Sequence, residues 1–151
     1  MKKITALAIC IVLMFTFAVA ETSSSIIAMY NVQAKVYGAK ELSASMITGE
    51  TEQLVSFSVD GSSIAFAAKD SDTYNSARII CGNEEDFLPY CICAVLCLNP
   101  SLEDVTSSFG NVLYSFLTVK GGTESSFGFF GGLLFNIKKE GENYRFLVGE
   151  P

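Results

Sequence analysis

The sequence predicts an α+β fold: an antiparallel sheet of about five strands, with two central helices at about 86–98 and 102–119 packed on one face, behind an N-terminal signal peptide. Three observations predict it. An uncharged apolar leader opens the chain. Alternation of period two surrounds an Asp-Gly turn and returns near the C-terminus. Between these regions lie two apolar segments with helical start and stop signals.

The leader comes first. Lys2 and Lys3 form a positive n-region, Ile4 to Phe17 carries no charge, and Ala18-Val19-Ala20 places small residues where a signal peptidase cleaves. Residues 1–20 are therefore expected to be removed, leaving 21–151 as a single globular domain. The stretch is shorter than the ~20 residues of a spanning helix, which argues against a retained anchor. Cys10 lies mid-stretch behind the bulky Ile9, a poor position for a lipid-modified cysteine. The expected location is secreted or extracytoplasmic, in the cell envelope, with no stable membrane insertion after cleavage. The Met-Lys-Lys start points to a bacterial source.

Cleavage removes two of the 10 basic residues against 16 acidic ones, so the net charge goes from −6 to −8. Such a chain repels phosphate backbones, and Arg78 and Arg145 are its only arginines, so nucleic-acid binding is excluded. Histidine is absent, which removes the side chain best suited to proton transfer near neutrality and the common zinc ligand. No cofactor is expected.

The elements follow in order. Residues 26–37 fit two periods. Ile26, Ala28, Tyr30, Val32, Ala34 and Val36 alternate as in a strand, whereas Ile26, Met29, Tyr30, Ala34 and Tyr37 share one face of a helix. The strand reading is preferred because β-branched residues and tyrosine fill the inward set. Gly38 ends this element, and Ala39 to Met46 form a short helical turn. Val59-Asp60-Gly61-Ser62 is a two-residue hairpin loop that sets Phe57 opposite Ile64 and Val55 opposite Phe66. Arg78 to Cys81 adds a third short strand after an Asp70-Ser71-Asp72 turn. Glu84-Glu85-Asp86 opens a helix through Leu98 that Asn99-Pro100 stops, apolar all round and so buried on most sides. Ser101, with Asp104 three residues on, caps a second helix whose Leu102, Val105, Phe109, Val112, Leu113 and Phe116 form one stripe. Gly121-Gly122 ends it. Phe127 to Lys138 and the stretch after Glu140-Gly141-Glu142-Asn143 return to strands, with Ile137 facing Phe146 and Phe135 facing Val148. This order of strands and central helices resembles secretion-chaperone-like α+β folds, a likeness of architecture that implies no activity.

Few residues are candidates for chemistry. Cys81, Cys91, Cys93 and Cys97 are open to three readings: buried thiols, one disulfide from Cys81 to one of the others, or a metal site. Metal fits worst. On a helix Cys91 and Cys93 diverge by about 160°, and on a strand the set spans about 20 Å. Glu84, Glu85, Asp86, Glu103 and Asp104 could form a carboxylate pair, yet each is explained as a charge at a helix N-terminus. Gly128, Gly131 and Gly132 lack the lysine and following helix of a phosphate loop. They describe either a bent strand with aromatics packed over bare backbone, or a ligand groove floored by Gly131 and Gly132 and walled by Phe129 and Phe130. These features describe a small acidic exported module that binds a protein or small molecule outside the cytoplasm without catalysis. A carboxylate-based hydrolase and a thiol- or disulfide-stabilised envelope protein are the alternatives.

Overall fold

The computed structural model describes residues 23–69, 73–118 and 125–151. The leader, the Asp70-Ser71-Asp72 turn and Gly121-Gly122 lie outside them. Among the described residues the class is α+β, but the sheet has seven antiparallel strands instead of about five, and three helices instead of two cover it.

The first correction is the helix α1, residues 23–37. Its buried side chains are Ile26, Tyr30 and Ala34, whereas Val32 and Val36 are 62% and 69% exposed. The helical face is therefore the one that packs. Asn31 then holds the following segment back against α1, accepting from the Leu42 N–H at 2.7 Å and donating to the Leu42 carbonyl at 2.8 Å.

After a 3-10 turn at Ala44–Met46 come β1 (Ile47–Glu50), β2 (Leu54–Val59), β3 (Ser62–Ala68) and β4 (Tyr74–Cys81). The β2–β3 hairpin has the expected register, Val55 with Phe66 and Phe57 with Ile64. Its Asp60 and Gly61 take φ of 47° and 81°, the two positive values of a type I′ turn. β1 is a strand that sequence reading missed, pairing with β2 through a bulge.

The helix α2 (Glu84–Leu98) starts under an Asn83 cap, whose side chain accepts from the Glu85 N–H at 3.0 Å. Nine of its residues are buried, Cys91 to Cys97 without interruption. The helix α3 (Val105–Thr118) begins later than expected. Ser101 and Leu102 instead turn on Asn99, with Ser101 N–H donating to the Asn99 side chain at 3.2 Å, and Asp104 has a φ of 52°. Val112 is 43% exposed and so leaves the expected stripe.

The aromatic region is not one bent strand. Gly131 and Gly132, φ 57° and 83°, turn the chain between β5 (Ser125–Phe130) and β6 (Leu133–Glu140), and β7 (Asn143–Gly149) follows. The strand order is β1-β2-β3-β4-β7-β6-β5, so two meanders meet where β7 pairs with β4.

All three helices cover the same face. Tyr30 of α1 meets Phe66 edge-on at 6.2 Å, Phe87 of α2 meets Tyr144 at 5.2 Å, and Phe109 of α3 packs on Phe130, Phe135 and Phe146 at 5.3–5.6 Å. The inner rows of the sheet are correspondingly bulky. One runs Phe57, Ile64, Ile79, Phe146 and Ile137, all fully buried.

Candidate functional site

Strand alternation leaves the opposite face of the sheet to a different set of side chains. One row of register partners across it reads Ser56, Ala65, Arg78, Leu147, Asn136 and Phe127; the next reads Leu54, Ala67, Ser76, Gly149, Leu134 and Phe129. Small residues on β2, β3 and β4 leave a trough between bulkier neighbours. It is a groove of about 290 Å³ lined by Leu54, Ser56, Ser63, Ala65, Ala67, Ser76, Arg78 and Leu147, with backbone-adjacent Ala77 and Val148. No helix of the described residues covers this face, and Leu54, Phe127, Phe129, Leu134 and Leu147 are exposed on it. The feature was readable only as period-two runs of serine and alanine in β2 and β3. Those runs carry no meaning until four distant strands align them.

The electrostatics of the face run against those of the chain. Both arginines and Lys138 lie on it, with Glu140 as the carboxylate at its end. Lys138 reaches Glu140 at 2.8 Å and Arg145 reaches it at 3.3 Å. The hydrogen bond from Lys138 holds the Glu140 carboxyl below its ordinary pKa; desolvation opposes it, and the charges of Arg145 and Lys138 add to the lowering. Arg78 is exposed and, among the described residues, makes no ion pair. A free guanidinium beside three serine hydroxyls can receive an anionic group, and Leu54 and Leu147 can receive an apolar one.

The four residues anticipated as a groove are not brought around one concavity. Phe129 is 65% exposed on the open face, while its neighbour Phe130 turns inward and stacks on Phe109 at 5.5 Å. Gly131 and Gly132 form the hairpin turn, and Asn99 Nδ2 donates to the Gly131 carbonyl at 3.0 Å.

The thiols lie on the other side of the sheet. Cys81, Cys91, Cys93 and Cys97 are free and buried. Ser62 Oγ donates to Cys81 Sγ at 3.2 Å, and the Cys81 thiol donates to the Asn83 carbonyl at 3.0 Å. Burial pushes the Cys93 pKa up to about 12 and raises those of Cys91 and Cys97, the latter two further raised by neighbouring thiols. A thiol held protonated is a poor nucleophile.

Of the five candidate carboxylates, those of Glu84 and Asp86 have structural partners. Glu84 accepts from the Tyr144 hydroxyl at 2.8 Å and Asp86 from Asn83 Nδ2 at 2.9 Å, whereas the Asp104 carbonyl caps Ser107 and Ser108 at the start of α3. No group of three or more metal-binding side chains occurs among the described residues. Among these residues, too, no helix is long and apolar enough to cross a membrane.

No family model, curated protein or solved structure matches the chain.

Proposed function

We propose that the protein is a non-catalytic binding module that works outside the cytoplasm and holds its ligand in the groove on the open face of the sheet. The observation that carries this reading is Arg78: an unpaired cation, in an acidic chain, set in a groove of serine, alanine and leucine side chains. The ligand it suits has an acidic head and a short apolar portion. Export is supported by the leader at 1–20 alone.

The test uses octanoate as the probe and octyltrimethylammonium as its opposite in charge. Titration is followed by amide chemical shifts of the full chain expressed under its own leader. Octanoate should saturate, with the shifts concentrated in β2, β3, β4 and β7. Arg78→Gln should weaken it about tenfold, the equivalent of the ~1.4 kcal/mol expected for a lost charge-assisted hydrogen bond. Equal binding of the two probes, no saturation at millimolar octanoate, or an unchanged Arg78→Gln variant would each refute the reading.

A further inference from the structure

The groove on the open face has a direction. From Arg78 on β4 one row of register partners runs through Ala65 on β3 to Ser56 on β2; the next runs from Ser76 through Ala67 to Leu54. Two methyl groups therefore floor the space between Arg78 and Leu54, and Leu54, 45% exposed, stands at the far corner. On the opposite side Leu147, the β7 partner of Arg78, forms the wall, and Leu134 on β6 lies outside the lining. An apolar tail whose head rests on Arg78 thus finds its hollow toward β2.

Strand spacing sets the length of that hollow. β4 and β2 are two strands apart, ~9.5 Å, and the rows of Arg78 and Leu54 are two residues apart, ~7 Å, which makes a diagonal of about 12 Å. An extended alkyl chain with C–C bonds of ~1.5 Å advances ~1.3 Å per carbon, so about eight carbons fill the diagonal once the Leu54 side chain takes its share. Past Leu54 the floor ends, because the pairing of β1 with β2 stops at Glu50 and Val55. A longer tail runs out into solvent. The volume of about 290 Å³ agrees, lying at the small end of the ~300–1,000 Å³ of ligand sites.

We propose that the groove selects straight-chain carboxylates of about eight carbons, with the carboxylate on Arg78, the tail over Ala65 and Ala67, and Leu54 as the stop. The selectivity rests on the groove being the ligand site, and Ala67 and Leu54 are the residues that set it. A larger side chain at Ala67 would fill the hollow that the tail needs, while the head would still reach Arg78.

Straight-chain carboxylates from butanoate to dodecanoate, each kept below its micellar concentration, test this by amide chemical-shift titration of the full chain expressed under its own leader. Affinity should rise about twofold per carbon up to octanoate and then level off; twofold is half the free energy of a fully buried methylene, because one side of the groove faces water. 2-Propylpentanoate, an octanoate isomer whose main chain is too short to reach Leu54, should bind no better than pentanoate. Ala67→Leu should weaken octanoate about fivefold and leave pentanoate unchanged. Leu54→Ala should weaken octanoate about twofold, and Leu134→Ala should not alter it. All three positions are on the open face, so melting curves should stay those of the wild type. An affinity that keeps rising through dodecanoate, 2-propylpentanoate bound as tightly as octanoate, normal octanoate binding by Ala67→Leu, or a loss in Leu134→Ala would each overturn the selectivity and leave the groove standing as the ligand site. Octanoate that fails to saturate at all would remove the groove itself.

Discussion

Gly128→Ala is the sharpest probe of how the aromatic end of the sheet is packed. Gly128 lies in β5 opposite Phe135 of β6, on the covered face. A β-carbon there would stand 2.2 Å from Phe135 Cζ and 2.6 Å from Cε1. The ring already lies across the bare backbone, so the methyl group and the phenyl claim the same space. Phe135 has little room to yield. It is 6% exposed, edge-on to Phe109 at 5.3 Å and tilted on Phe146 at 6.3 Å. Overpacking of this kind costs about 1–3 kcal/mol. The loss of glycine's freedom in the unfolded chain offsets ~0.4–1 kcal/mol of that. The net destabilisation is therefore about 1–2 kcal/mol, a fall in Tm of about 3–8 °C for a domain of this size. Thermal and urea unfolding followed by circular dichroism measure it, with the m-value unchanged. The companion experiment repeats Gly128→Ala in a Phe135→Leu background, where the smaller side chain frees the space. The penalty should shrink by at least ~0.5 kcal/mol, the signature of two residues in contact. A Gly128→Ala variant that melts at or above the wild type, or one that costs the same in both backgrounds, would refute the argument.

Other outcomes follow from the same packing. Gly131→Ala should cost about 2 kcal/mol, because it combines a left-handed φ of 57° with a β-carbon 2.1 Å from Leu102 Cδ2. Gly132→Ala, with a φ of 83° and open space around it, should cost about half as much; equal melting temperatures would deny the Leu102 contact. Asn83→Ala should lower stability by about 1 kcal/mol through loss of the α2 cap, measured by urea unfolding; Asn83→Asp should recover most of it. The four buried thiols should resist Ellman's reagent at pH 8 until the protein is unfolded, and rapid labelling of the native protein would contradict their burial. Stability should also fall above about pH 9. Cys93 is raised from 9.0 to about 12 by burial, and Tyr90 from 10.0 to about 12 by burial and then by Asp86, Cys81 and Asp60. The native state thus keeps protons that the unfolded chain releases. Each such group contributes a loss of about 1.4 kcal/mol per pH unit between its two values. Urea midpoints that stay flat from pH 8 to 11 would contradict this.

The local signals in the chain were sufficient at two hairpin turns and at one helix, and misled at the expected Ser101 cap, where the chain turns on Asn99 instead. Asp60-Gly61 demands positive φ at both positions, and that alone set the β2–β3 register. Glu140 to Asn143 likewise set Ile137 against Phe146 and Phe135 against Val148. The run from Phe87 to Leu98, opened by Glu84-Glu85-Asp86 and stopped by Asn99-Pro100, was legible as a buried helix because no polar stripe interrupts it, whereas its Asn83 cap emerged only in the structure.

The remainder was decided at long range. Residues 26–37 satisfy both a strand and a helix period, and local propensity favoured the strand. What settles the matter is that Phe66 and its neighbours on β3 need a covering layer, which Tyr30 supplies only from a helix. Gly131-Gly132 looked like glycine within a strand. It is a turn because Phe130 has to reach Phe109 while the chain doubles back beneath Leu102. The open face is the extreme case. Its serines and alanines are unremarkable one at a time, and only the pairing of β4 with β7, residues nearly seventy positions apart, places Arg78 beside Leu147 and makes a groove of them. At Asp60-Gly61 and at Glu140 to Asn143 the turn is a property of neighbouring residues, so the sequence by itself determined those two registers. Which faces are covered, and which side chains are left on the open face, depends on where distant apolar surfaces find each other, and that only the tertiary structure decided.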